Sequence, residues 1–165
     1  MVIKKKKVVK NKTVSLYEME TAIADLFNYR KNVIVPNISW GIGIHECDML
    51  IVRIQTGFAV EVEIKRSKAD LKADFKKEHK HNDDRIKEFY YALPEELIES
   101  CKELIPETAG LISVRLYRKK YKAEIIKKAK INKARRLTEH ELLRITHLGT
   151  MRIWSLKNKI NKLQQ

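Results

Sequence analysis

The sequence predicts an α/β fold, a mixed central sheet flanked by helices, on three observations. Two strands that alternate apolar and polar residues meet at a glycine-bearing turn, Gln55 to Gly57. A helix and a further, aromatic strand follow that hairpin, and a helix with its apolar residues at helical spacing precedes it. A hairpin continued through a helix into another strand implies a sheet with helices packed on it. The chain has 165 residues, 44% of them hydrophobic, which is enough for one sizeable core. We expect a basic flexible tail over 1–14 and a single domain over 15–165, which includes a basic strand pair and C-terminal helices.

The elements follow in order. Leu16, Met19, Ile23, Leu26 and Phe27 recur at helical spacing. Ser15 is the expected N-cap, with Glu18 placed for a capping box. Glu20 interrupts that apolar stripe, where a carboxylate is costly unless paired or coordinated. Asn32 to Ile38 is a short strand whose proline suits a sheet edge, and Gly41 and Gly43 punctuate the loop after it. Glu46 to Ile54 and Phe58 to Lys65 form the hairpin. Ser67 caps the next helix, expected to run to about Lys77. His79 to Asp84 is polar, Glu88 to Leu93 is a strand stopped by Pro94, and Glu95 to Leu104 is helical. Gly110 to Tyr117 and Lys122 to Lys128 pair around a basic turn. Thr138 and Glu141 open a last helix that runs to Leu163, with a break expected near Gly149.

Charge narrows the partners. Lys and Arg number 35 against 21 Asp and Glu, a formal net charge of +14. Such a field attracts a polyanion, and binding would weaken steeply with salt. Cys47 and Cys101 stand alone, with no metal or disulfide spacing. With no apolar leader and no run long enough to cross a bilayer, the expectation is a cytoplasmic protein with DNA, not a membrane, as its partner.

The chemistry concentrates in the hairpin. In Ala59 to Lys65, Val60, Val62 and Ile64 point one way while Glu61, Glu63 and Lys65 point the other. If the strands pair, Asp48 stands beside Glu63. Two close carboxylates repel unless something positive lies between them. Mg²⁺ (or Mn²⁺) fits, because it takes hard oxygen ligands and keeps several waters. Asp48, Glu63 and the backbone carbonyl of Ile64 would hold it, Lys65 would orient the attacking water, and Glu20 could bind a second metal or a metal-bound water. The competing reading is a solvated sheet face with a cross-strand ion pair. The residues alone leave the two level.

The set Glu20, Asp48 and Glu63-Ile64-Lys65, in the order helix, strand, strand, strand, helix, strand, resembles the PD-(D/E)XK nuclease superfamily, whose fold is restriction-endonuclease-like. EVEIKRSKADLKADFKK followed by FYYALPEEL resembles the MmcB-like DNA repair family and related phage-encoded proteins. Cys47 stands where the superfamily name expects proline, and Glu61 is an additional acid that could exchange roles with Glu63. The resemblance implies a metal-dependent deoxyribonuclease with Glu20, Asp48, Glu63 and Lys65 as catalytic residues, working in repair, recombination or phage DNA processing. The alternative is a non-catalytic nucleic-acid-binding module on the same fold. A third reading, an RNA-binding protein of the ribosomal sort, explains the charge but not Glu20. A homodimer stays open, since cutting both strands often takes two sites.

The remaining candidates are contacts. Lys68, Lys76, His81, Arg118, Lys119 and Lys120 are placed to meet phosphates, within a wider basic set that includes Arg115, Lys122, Arg135 and Arg136. His79, His81 and Asp83 suit zinc only loosely. Asp70 and Asp74, four apart on the second helix, either pair with surface cations such as Arg66 and Lys77 or line the cleft. Phe89, Tyr90, Tyr91 and Trp154 are expected in the core.

Overall fold

A computed structural model of the chain describes residues 13–38, 46–76 and 83–164. Most of the expected basic tail, the loop with Gly41 and Gly43, and His79 and His81 lie outside the described residues. The elements are α1 (Leu16–Leu26), β1 (Val33–Ile38), β2 (Cys47–Val52), β3 (Ala59–Ile64), α2 (Lys68–Asp74), β4 (Ile86–Pro94) and α3 (Glu95–Cys101). A single 3₁₀ turn (Lys102–Leu104), β5 (Gly110–Tyr117), β6 (Lys120–Lys127) and α4 (Glu139–Leu163) complete them.

The strands form one six-stranded sheet in the order β1-β2-β3-β4-β5-β6, the order of the chain. Three neighbouring pairs, β1-β2, β2-β3 and β5-β6, are antiparallel, the last two joined by tight turns. The two connections that pass through helices, β3-α2-β4 and β4-α3-β5, give parallel pairs. The β2-β3 turn uses Gly57 at φ 71°, with the Arg53 carbonyl accepting from the N–H groups of Thr56 and Gly57. Pro36 sits in β1, an edge strand, where its missing N–H costs no ladder bond.

Each face of the sheet has its own apolar cluster. On one, Met19, Ile23 and Phe27 of α1 pack over Met49, Ile51, Val62 and Ile112. On the other, Leu71 of α2, Ile98 of α3 and Ile145 of α4 pack over Leu50, Phe89, Tyr91 and Leu111. β3 lies in the middle with all six of its residues buried. The solvated half-exposed strand is therefore ruled out for Glu61 and Glu63.

Both capping boxes form: Ser15 with Glu18, and Thr138 with Glu141. Two expectations need correction. α4 is continuous through Gly149, without a break. An interior glycine costs a helix only about 1 kcal/mol, and this one lets α4 approach β1, since an added Cβ would lie 3.2 Å from Val35 Cγ2. Trp154 is not core: α4 has run past the sheet by that point, and its ring is exposed. Phe89, Tyr90 and Tyr91 are buried as expected.

Candidate metal and nuclease site

The carboxyl ends of β3, β4 and β5 point to one edge of the sheet, and β2 begins there because it runs antiparallel. Ligands of open α/β sheets bind at such an edge. The Met49–Val62 register, continued one step, places Asp48 opposite Glu63. Regular pairing stops at that point, and the two carboxylates take the freed backbone groups. Asp48 Oδ2 accepts from the Ile64 N–H at 2.7 Å, and Glu63 Oε1 accepts from the Asp48 N–H at 3.3 Å. The Lys65 N–H turns the other way, to the Ala92 carbonyl at 3.0 Å. The N–H and C=O of one strand residue share a side, so the Ile64 carbonyl also faces β2 and Asp48.

Lys65 follows β3 and folds back over the same face. Its Nζ lies 2.6 Å from Glu63 Oε2 and 2.9 Å from Asp74 Oδ1. Asp74 Oδ2 accepts from the Tyr91 hydroxyl at 2.9 Å. All four side chains are buried. Asp74 thus joins the cleft, and Lys77, its expected surface partner, lies outside the described residues. The spacing to Asp70 hinted at this, but only the inward turn of α2 beneath Leu71 decides it. Asp70 stays exposed, accepting from the Ser67-capped first turn region through the Arg66 N–H at 3.4 Å.

The electrostatics follow from burial. Glu63 is pushed up to about 7 by burial and by the Asp48 charge, against the pull of Lys65. Burial alone would lower Lys65, but Glu63 and Asp74 outweigh it and hold the ammonium above its ordinary range. Tyr91 is raised by burial and by its bond to Asp74. Cys47, buried beside these acids, is pushed far up, first by burial and then by Glu61, Glu63 and Asp48. Glu61 lies one step deeper on the same face, fully buried between Leu50 and Phe89 in the ladder.

Glu20 reaches the edge from the opposite face, on α1. It is half-buried, and Asn37 Nδ2 donates to its Oε1 at 3.3 Å. Burial raises its pKa, Asn37 opposes this, and the Asp48 charge adds to the rise. Asp48, Glu63, Ile64 and Lys65 are therefore in direct contact, while Glu20 feels the Asp48 charge and is bonded to Asn37. Among the described residues no group of three or more His, Cys, Asp or Glu side chains is close enough to hold a metal. The donors at hand are two carboxylates and one carbonyl. That set suits a hard cation that retains water and would not serve zinc.

Of the expected contact residues, Lys76 is exposed at the end of α2, and Lys68 donates to the Ser100 carbonyl at 2.8 Å, next to α3. His81 is outside the described residues. Asp83 is engaged by Arg85 Nε at 2.6 Å, which makes it a structural ion-pair partner. Arg118, Lys119 and Lys120 are exposed at the β5-β6 tip, two residues tighter than expected because Arg118 takes φ 57° and β6 starts at Lys120. The tip lies at the same edge as Glu63, since β5 runs parallel to β4 and β3. An open groove of about 1270 Å³ runs between the tip and α1, with Arg115, Arg118 and Lys119 on one wall and Glu18, Asp25 and Glu96 on the other. A second groove shares Thr13, Val14 and Glu96 with it and leads on to Arg66 and Ser67. Arg135 is held by Glu141 at 2.6 Å, away from this track.

No helix among the described residues is long and apolar enough to cross a membrane. No family model matches the chain, and no curated protein matches it. Among solved structures, a protein of unknown function from Silicibacter pomeroyi is similar, with a TM-score of 0.59 and 18% identity over 88% of this chain and 90% of that one. Such a likeness speaks for the fold alone: the chain is an α/β protein with a mixed six-stranded sheet flanked by helices.

Proposed function

We propose that the protein is a Mg²⁺- or Mn²⁺-dependent DNA nuclease of the PD-(D/E)XK type. One observation carries the reading: Asp48, Glu63, the Ile64 backbone and Lys65 meet where the β2-β3 ladder opens at the carboxyl edge of the sheet. A divalent cation held by Asp48, Glu63 and the Ile64 carbonyl would supply positive charge at the scissile phosphate. Lys65, an ammonium with two carboxylate partners, acts as a hydrogen-bond donor and fixed charge beside the attacking water, not as its base. Asp74 and Tyr91 hold Lys65 in place. Glu20 adds negative charge from the α1 side, steadied by Asn37. The two joined grooves offer a route along the edge from the basic tip to Arg66, next to Lys65.

The test is incubation of single-stranded, double-stranded, nicked and branched DNA with Mg²⁺ or Mn²⁺. Wild type should cleave at least one of these, while Glu63→Ala and Lys65→Ala lose cleavage and still bind DNA. Equal cleavage by all three proteins would mark a contaminant and end the proposal. A second reading is favoured by the closure of the Glu63–Lys65–Asp74–Tyr91 chain on itself: a binding module whose site no longer takes metal. Calorimetric titration separates the two, because only a working site takes up Mn²⁺ in a manner that depends on Asp48.

A further inference from the structure

The geometry points to the C-terminal half of α4 as a docking seam for an amphipathic helix of a partner protein, one flanked by acidic residues. The first half of α4 packs on the sheet along a single stripe: Ile145 is buried, and Gly149 closes on Val35 of β1. The same stripe continues at three- and four-residue steps through Ile153, Leu156, Ile160 and Leu163. These are 56%, 54%, 44% and 87% exposed, respectively. The helix thus carries its core-facing stripe beyond the body that the stripe covers.

The pattern selects the occupant. Ile153, Leu156, Ile160 and Leu163 fall at the a and d positions of two heptads, a seam of two residues in seven; the other exposed apolar side chains of this half, Met151 and Trp154, fall at the outer f and b positions, off the seam. A helix built to lie in a bilayer or on a broad sheet face needs a wider apolar surface. Here the positions beside the seam are Lys157 and Lys159, with Lys162 nearby, and no Asp or Glu occurs from Leu142 to Gln165. Two copies of α4 would set lysine against lysine along the seam, which disfavours self-pairing. Duplex DNA would meet the lysines but leave four aliphatic side chains in water. A helix with aliphatic a and d residues and glutamates at its flanks satisfies both features. None of this depends on catalysis at Lys65.

The experiment uses the full chain and three synthetic three-heptad peptides. The first has Ile and Leu at a and d with Glu at the flanks. The second keeps that seam with Lys flanks, and the third keeps the Glu flanks with Ser in the seam. The first peptide should bind with a dissociation constant on the order of 1–100 µM, weakening with salt. The other two should bind at least tenfold more weakly. Leu156→Lys and Ile160→Lys should each reduce binding of the first peptide at least tenfold and leave the melting temperature unchanged, because both side chains are already exposed. The proposal is overturned by equal binding of the first and third peptides, or by binding that survives Leu156→Lys. It is also overturned if Leu156→Lys instead dissociates a dimer of the chain, releases it from anionic phosphatidylserine vesicles, or weakens its binding to duplex DNA.

Discussion

Asp74 and Lys65 form a buried ion pair, Oδ1 to Nζ 2.9 Å, that fastens the end of α2 to the end of β3. Removing one partner of a buried pair costs about 3–5 kcal/mol when the other charge is left alone, but here Lys65 keeps Glu63 as a partner. Asp74→Ala should therefore lower the unfolding free energy by less, about 1–3 kcal/mol, in a urea titration. Tyr91→Phe, which removes only the hydroxyl bond to Asp74, should cost about 1–2 kcal/mol. The double variant should cost less than the sum of the two, because both act through one carboxylate.

Glu63 predicts a pH slope. Its folded pKa, near 7, lies above its ordinary value of 4.5, so the folded state holds this proton more tightly than the unfolded state. Its stabilising contribution is complete below about pH 4.5 and is lost as the pH rises to about 7. Without divalent ions, wild type should lose melting temperature over that window relative to Glu63→Gln. At about pH 7.5, Mn²⁺ should restore it in wild type by mass action and have no effect on Asp48→Asn.

Two glycines predict opposite outcomes. A Cβ on Gly110 would lie 2.3 Å from the Tyr90 ring and 2.7 Å from the backbone nitrogen of Ala129. Gly110→Ala should cost about 3 kcal/mol or more, or prevent folding. Gly149→Ala gains about 1 kcal/mol of helix propensity against mild crowding of Val35, so chemical denaturation should show a change within about 1 kcal/mol.

Glu141 caps α4 and binds Arg135. Arg135, then the Thr138 backbone and hydroxyl, hold its carboxyl well below the usual range despite partial burial. A depressed acid contributes stability above its unfolded pKa and loses it as the pH falls. Glu141→Gln should cost about 1–2 kcal/mol at neutral pH, and the difference from wild type should shrink below about pH 4.

The β5-β6 tip predicts a salt signature. If Arg118 and Lys119 each neutralise a phosphate, replacing both by Ala should reduce the slope of log binding constant against log salt by about 2. An unchanged slope would remove the tip from the interface.

Local signals were the readable ones. Ser15-Glu18 and Thr138-Glu141 are chemical statements about four consecutive residues, and both caps form where they stand. The hairpin was legible because period-two alternation flanked a glycine, and its register then fixed Asp48 against Glu63. What failed to show depended on distance through space. Gly149 read as a break because nothing in its neighbourhood of sequence reveals Val35 across the gap. Asp74 leaned towards the cleft only through the family resemblance, since the i, i+4 spacing to Asp70 is the same on either side of a helix. Trp154 looked apolar enough for the core, but the sheet ends before α4 does. The alternation of β3 hid that both of its faces are covered, so that even Glu61 is enclosed.

The sheet's strand order has a consequence for how the chain comes together. No strand must wait for a later segment to be inserted beside it, so each can zip onto its predecessor as it leaves the ribosome. Loop-closure entropy within the sheet is spread over short steps, while α1 against β6 and α4 against β1 close the long spans last. The acid-bearing strand is exposed on one flank only until the aromatic one after α2 arrives. Circular permutation that breaks this succession should slow assembly more than it lowers final stability.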